Sequence, residues 1–227
     1  MMTTTMIKRA VSILLFASLT TIVCSQEKDF GLWYNISIGH EFTKKLDVEL
    51  ATTIRTFDNA SRIEEGFIEA EVAYKFTKYL SAAASYRITE NIEDDDTYHI
   101  RHKWFVGLKG EIEIWDLDID GRIRYQERYK TYFEDEEDKI PDSHFRFRIK
   151  STYKTPSFPL NPYMAFELFF PVFKESDFVI DKKRFTTGVE YKISKKHAVE
   201  VEYLYQRDHH PKLRDDHIVS LNYEFKF

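Results

Sequence analysis

From Phe30 to the end of the chain, apolar and polar residues trade places with a period of two, the mark of strands whose two faces meet different surroundings. In His217 to Phe227, Val219, Leu221, Tyr223, Phe225 and Phe227 share one face, and Ser220, Asn222, Glu224 and Lys226 share the other. Arg184 to Ile193 alternates in the same way. The pattern predicts eleven strands near 30–42, 46–57, 65–76, 80–90, 98–109, 117–129, 144–154, 162–173, 183–193, 197–208 and 216–227, with no helical periodicity after the first 29 residues.

The connections are of two kinds that take turns. Short turns recur in a shared pattern, Phe42-Thr43-Lys44-Lys45-Leu46, Phe76-Thr77-Lys78-Tyr79-Leu80 and Ile193-Ser194-Lys195-Lys196-His197. Between them lie longer polar loops at 58–64, 91–97, 130–143, 174–182 and 209–215, two of which carry the acidic runs Glu93 to Asp96 and Glu134 to Asp138. Tight turns on one rim and long loops on the other are the habit of outer-membrane barrels. Strands of this length suffice for a tilted crossing, which needs roughly 9–11 residues. Aromatic residues gather near strand ends, at Trp33-Tyr34, Tyr74 and Phe76, Tyr125 and Tyr129, Phe169-Phe170, and Tyr203 and Tyr205, as interfacial girdles require. The expected fold is therefore an all-β, antiparallel, up-and-down transmembrane β-barrel of about 10 to 12 strands. Because bacterial single-chain barrels normally have an even number of strands, the parity rule predicts that one of the eleven segments is misread. Either 30–42 falls short of a full strand, or a further strand hides within 110–116 or before Phe30.

Composition narrows the classes of function. The chain has 227 residues, a charged fraction of 31% and one cysteine, Cys24, so an internal disulfide framework and a thiolate metal cluster are both excluded. Its longest apolar run, Ala10 to Val23, is shorter than a membrane-spanning helix. Preceded by Lys8 and Arg9 and followed by Val23-Cys24-Ser25, it reads as a signal peptide over residues 1–25 cut before Gln26, leaving 26–227 as one barrel domain. Cys24 as a lipid-bearing residue is the alternative. A net charge of −5 without a basic block argues against a nucleic-acid partner.

If the apolar parity faces lipid, the other parity sends Arg101, Lys103, Arg122, Arg124, Arg128, Arg146, Arg148 and Arg184 toward the axis, with Glu167, Glu190, Glu200, Glu202 and Glu224 from other strands. Two readings stay open: a salt-bridged interior that fills the barrel, or a basic wall facing an acidic one across a narrow pore. Tyr223, Phe225 and the terminal Phe227 form a candidate C-terminal signal for the barrel-assembly machinery. The surrounding partners would be outer-membrane lipid and lipopolysaccharide; no cofactor and no metal is expected.

Other classes of function bear on particular residues. A soluble periplasmic or secreted ligand-binding barrel would show the same alternation turned inside out. A lipid-modifying enzyme needs a nucleophile and base, and the nearest pair, Ser143-His144 beside Asp142, lies on adjacent positions of a strand that point to opposite faces. No catalytic residue is assigned. Asp208-His209-His210 with Asp215-Asp216-His217 offers metal-binding side chains, but a solvated loop is the simpler reading.

Asp29-Phe30-Gly31-Leu32-Trp33, the arginine-rich 122–128 stretch, His144-Phe145-Arg146-Phe147-Arg148, the 162–169 stretch and terminal Phe227 together resemble the bacterial family catalogued as domain of unknown function 2490. The resemblance spans the chain after the leader and implies a Gram-negative outer-membrane barrel, with no established activity or catalytic residues to carry over.

Overall fold

A computed structural model describes residues 28–92, 97–133, 139–156, 158–172, 180–209 and 213–227. The signal peptide, Cys24, His210 and the two acidic runs lie outside the described residues. The described residues form eleven strands: β1 (Lys28–Thr43), β2 (Leu46–Phe57), β3 (Arg62–Lys75), β4 (Leu80–Ile92), β5 (Tyr98–Ile114), β6 (Leu117–Lys130), β7 (Asp142–Tyr153), β8 (Leu160–Val172), β9 (Lys182–Lys192), β10 (His197–Asp208) and β11 (Arg214–Lys226). Each pairs antiparallel with its sequence neighbour, and β1 closes the barrel against β11.

That closure corrects the parity argument. β1 and β11 run parallel, from Lys28 beside Asp215 to Gly39 beside Lys226, so among the described residues eleven strands close without a twelfth. The first segment is a full strand of 16 residues. Residues 110–114 are no separate strand but the end of β5, which runs 17 residues and turns at Trp115-Asp116 into β6. Any strand before Lys28 falls outside the described residues. The 58–64 loop is also shorter than expected, because β3 begins at Arg62.

The shared turn pattern has a local cause. The Thr43 hydroxyl accepts from the backbone N–H of Lys45 and Leu46, Thr77 from Tyr79 and Leu80, and the Ser194 hydroxyl from Lys196 and His197. A short hydroxyl side chain at the first turn position satisfies donors that the ladder leaves open. On the opposite rim, Asp58, Asn59 and Ala60 all sit at positive φ, between 52° and 62°. The Asp29 carboxylate holds this bend, accepting from the N–H of Asp58 at 3.1 Å and of Asn59 at 2.9 Å.

The two parities separate as a membrane barrel demands. Leu50, Ile68, Leu108, Ile149 and Leu221 are exposed on the outer face, while Ser37, Thr53, Ser85, Gln126 and Ser220 are buried on the inner one. A soluble carrier would show the reverse. Tyr34, Tyr74, Phe76, Tyr86, Tyr98, Phe145 and Phe227 add exposed rings to the outside. Two aromatics assigned to the girdle are not there: Trp33 and Phe169 point inward and are buried. Their neighbours Tyr34 and Phe170 take the outward positions, since adjacent strand residues face opposite ways.

Candidate functional site

With strands about 4.8 Å apart and tilted by about 40°, the eleven strands form a ring roughly 22 Å across between backbones. Long side chains from all sides divide this interior into chambers. A chamber of about 740 Å³ opens at the short-turn rim, where Lys75, Tyr79, Lys195 and Phe227 line it. Above it lie spaces of about 390 and 540 Å³, and one of about 190 Å³ reaches Asp29, Glu64 and Arg214 at the long-loop rim. Arg122 and Arg148 belong to the walls of the first three. Trp33, Lys103, Arg128 and Arg184 belong to both of the spaces nearest the long-loop rim.

Cross-strand register sets like charges side by side. Arg122 is opposite Arg148 and Arg124 opposite Arg146, an arrangement that destabilises a sheet unless countercharge is near. Glu167 of β8 supplies it. Its carboxylate, 4% exposed, accepts from Arg146 at 2.9 and 3.0 Å and from Arg122 at 3.0 Å, with Arg184 at 3.8 Å. Arg146 donates onward to the Gln126 side-chain oxygen at 3.1 Å, and Arg184 to that of Gln206 at 2.6 Å. Arg124 reaches across to Glu71 at 3.1 Å, and Arg148 is held by Asp120 at 3.0 Å.

Across the 390 Å³ space stands a second wall, from β9, β10 and β11. Glu190, Glu200, Glu202 and Glu224 line it together. The Tyr163 hydroxyl donates to Glu202 at 2.6 Å, Asn161 donates to Glu190 at 3.2 Å, and Lys150 meets Glu200 at 3.5 Å. Tyr163 reaches Glu202 over Gly188, where an added Cβ would fall 2.7 Å from the Tyr163 ring. Nearer the long-loop rim, Arg128 donates to Asp142 at 2.6 Å, and Arg101 stands 3.4 Å from the Tyr132 hydroxyl.

Sequence reasoning missed the rings beneath these cations. Phe67, Phe105, Tyr163 and Phe169, with Trp33, are buried on the inner face. Arg55 lies 3.8 Å over Trp33, Arg87 3.7 Å over Phe67, Lys150 3.7 Å over Tyr163 and Arg146 4.5 Å over Phe169. Each of these cations is also paired with a carboxylate, so the ring adds a second contact that fixes the charged group against the wall. The signal was available: Phe67, Phe105 and Phe169 each stand between two residues of the outer face, as in Trp104-Phe105-Val106, making apolar runs inside alternating strands. Arg55 and Arg87, paired with Glu65 and Glu69, are further interior cations absent from the sequence assignment.

Among the described residues, the catalytic candidates form no nucleophile–base pair and the metal-binding candidates form no cluster of three or more ligands, although His144 lies 3.6 Å from Asp142 and the Gln206 amide donates to both Asp208 and Asp216. Ser143 faces outward and donates to Glu127 at 3.4 Å, while His144 faces inward, 2.9 Å from Asp181. Asp215 and His217 are likewise on the outer face, with Arg207 and Tyr203, whereas Asp216 points inward to Arg214 and Gln206. At the short-turn rim Phe227 is fixed, its N–H donating to the Gly39 carbonyl and its ring stacking on His40 at 4.6 Å.

The family model described as "Protein of unknown function (DUF2490)" matches residues 30–216. None of the curated proteins matches the chain. Among solved structures, the NanC porin is similar with a TM-score of 0.57 at 15% identity, over 88% of this chain and 99% of that one. The β domain of the Bordetella autotransporter BrkA is similar with a TM-score of 0.47 at 10% identity, over 79% of each chain. These likenesses concern the fold.

Proposed function

This chain belongs to the DUF2490 family, and we propose that it is an outer-membrane barrel whose interior is a narrow, charge-lined passage for small polar solutes. The observation that carries the reading is the succession of chambers from the short-turn rim to the long-loop rim, joined through walls that share Arg122, Arg148, Arg128 and Arg184. Open aqueous channels come with about 16–18 strands, and eight enclose little beyond side chains, so a barrel of eleven holds a file of small chambers rather than a wide pore. What moves through it passes between guanidinium groups of β6 and β7 and carboxylates of β9 to β11, so charge governs passage.

In this reading the outer apolar belt meets outer-membrane lipid and lipopolysaccharide, and Tyr223, Phe225 and Phe227 are the segment offered to the assembly machinery. A passage is favoured over a lipid-modifying enzyme because Ser143 and His144 point to opposite sides of the wall. The test is conductance of the purified barrel in planar bilayers. Replacing Arg122, Arg124 and Arg146 together by Gln should shift the reversal potential toward cation preference. An absence of conductance at every salt concentration tried would leave the interior as a plug and end the proposal.

A further inference from the structure

Toward the long-loop rim, one inward row crosses five strands through successive cross-strand partners: Glu69, Arg87, Lys103, Arg128, Asp142. Three cations thus stand side by side, flanked by one carboxylate at each end. The flanking charges are spoken for, Arg87 by Glu69 at 2.6 Å and Arg128 by Asp142 at 2.6 Å. The central Lys103 ammonium has no hydrogen-bond or ion-pair partner among the described residues, and it rests 5.9 Å over the Phe105 ring. The nearby Glu65 is engaged by Arg55.

Adjacent like charges cost stability in a sheet, and nothing in the row offsets the one in the middle. Lys103 also stands where two chambers meet, lining both the 540 Å³ and the 190 Å³ space. The larger of these carries ten basic side chains on its wall against four carboxylates, and Trp33 and Phe67 give it an apolar side. A compact, rotatable ammonium with all its donors open, between two guanidinium groups whose charges are already balanced, is suited to an incoming oxyanion.

We propose that Lys103 anchors a binding site for the carboxylate or phosphate group of a small solute, at the junction of these two chambers. The inference rests on reading the interior as open to solutes, and it names the class of solute that the passage retains. Removal of this lysine relieves repulsion from Arg87 and Arg128 while abolishing the site, the opposite of what a structural lysine would do.

The purified, folded barrel in lipid vesicles is treated with acetic anhydride, and the acetylation rates of Lys103, Lys75 and Lys154 are read separately by mass spectrometry. Inorganic phosphate or succinate replaces chloride at constant ionic strength. Each should slow Lys103 saturably, by about five-fold once the anion stands at about four times its Kd, and leave the ion-paired Lys75 and Lys154 unchanged. Phosphate should raise the melting temperature of the unaltered protein and of Lys103→Arg but not that of Lys103→Gln, and Lys103→Gln should melt no lower than the unaltered protein in chloride. Acetylation of Lys103 that ignores both anions overturns the site, as does a Lys103→Gln protein that melts lower and still responds to phosphate. Conductance without protection of Lys103 removes the site and leaves the passage; protection without conductance keeps the site and removes the passage.

Discussion

Replacing Glu167 by Gln keeps the volume of the side chain and removes the one negative charge that three guanidinium groups share. Arg146 meets that carboxylate at 2.9 and 3.0 Å, Arg122 at 3.0 Å and Arg184 at 3.8 Å. The amide that replaces it offers one acceptor and turns an N–H₂ group toward donors. Breaking a buried ion pair by removing one partner costs about 3–5 kcal/mol. The arginines border chambers of about 390 and 540 Å³ and keep part of their side chains exposed, so about 3 kcal/mol, the lower end, is expected here. With a urea dependence of about 1–3 kcal/mol per molar, the unfolding midpoint should fall by about 1 M or more. The measurement is a urea titration in lipid vesicles, following the fraction that keeps its folded gel mobility when left unboiled. Asp118→Asn is the control, because its partner Lys154 is 43% exposed and such pairs contribute less than about 1 kcal/mol. Combining Glu167→Gln with Arg146→Gln should cost clearly less than the two single losses added together. A Glu167→Gln midpoint no lower than that of Asp118→Asn would refute the network as a source of stability and leave these arginines as independently solvated groups.

Two further outcomes follow from the wall of the barrel. Ala60 sits at a φ of 62°, so Ala60→Gly should stabilise the protein by about 1 kcal/mol in the same titration, whereas an unchanged or lower midpoint would show that this bend carries no strain. Because β1 begins at one rim and β11 ends at the other, protease sites placed just ahead of Lys28 and just after Phe227 should be cut from opposite faces of vesicles that hold the barrel in one orientation. Cleavage of both from the same face would mean that β1 and β11 do not pair as parallel strands.

Much of the barrel was legible because its determinants are local. Period-two alternation assigned each strand's faces, and the Thr43, Thr77 and Ser194 turns announce themselves by a hydroxyl whose acceptor role needs only the next three residues. The strand count was legible too. What misled was a general rule of parity, since alternation says nothing about whether β1 meets β11 parallel or antiparallel. The interior was half legible. Parity sends Arg146 and Glu167 inward, but their sharing of one carboxylate with Arg122 and Arg184 depends on register across β6 to β9, which no single strand encodes. The inward rings of Phe67, Phe105 and Phe169 defy the polar parity because guanidinium and ammonium groups lie over them. Only the assembled wall shows what a phenylalanine is doing among charged residues.

The seam between β1 and β11 bears on how the cylinder comes into being. Every other pairing joins neighbours along the chain, whereas the seam joins residues 187 positions apart with slanted parallel bonds that are slightly weaker per residue. Closing so distant a contact costs more chain entropy than joining neighbours, which favours the seam as the final join in assembly. Until it forms, β11 presents a bare edge of backbone donors and acceptors, and a curled, unclosed sheet must be shielded from other strands.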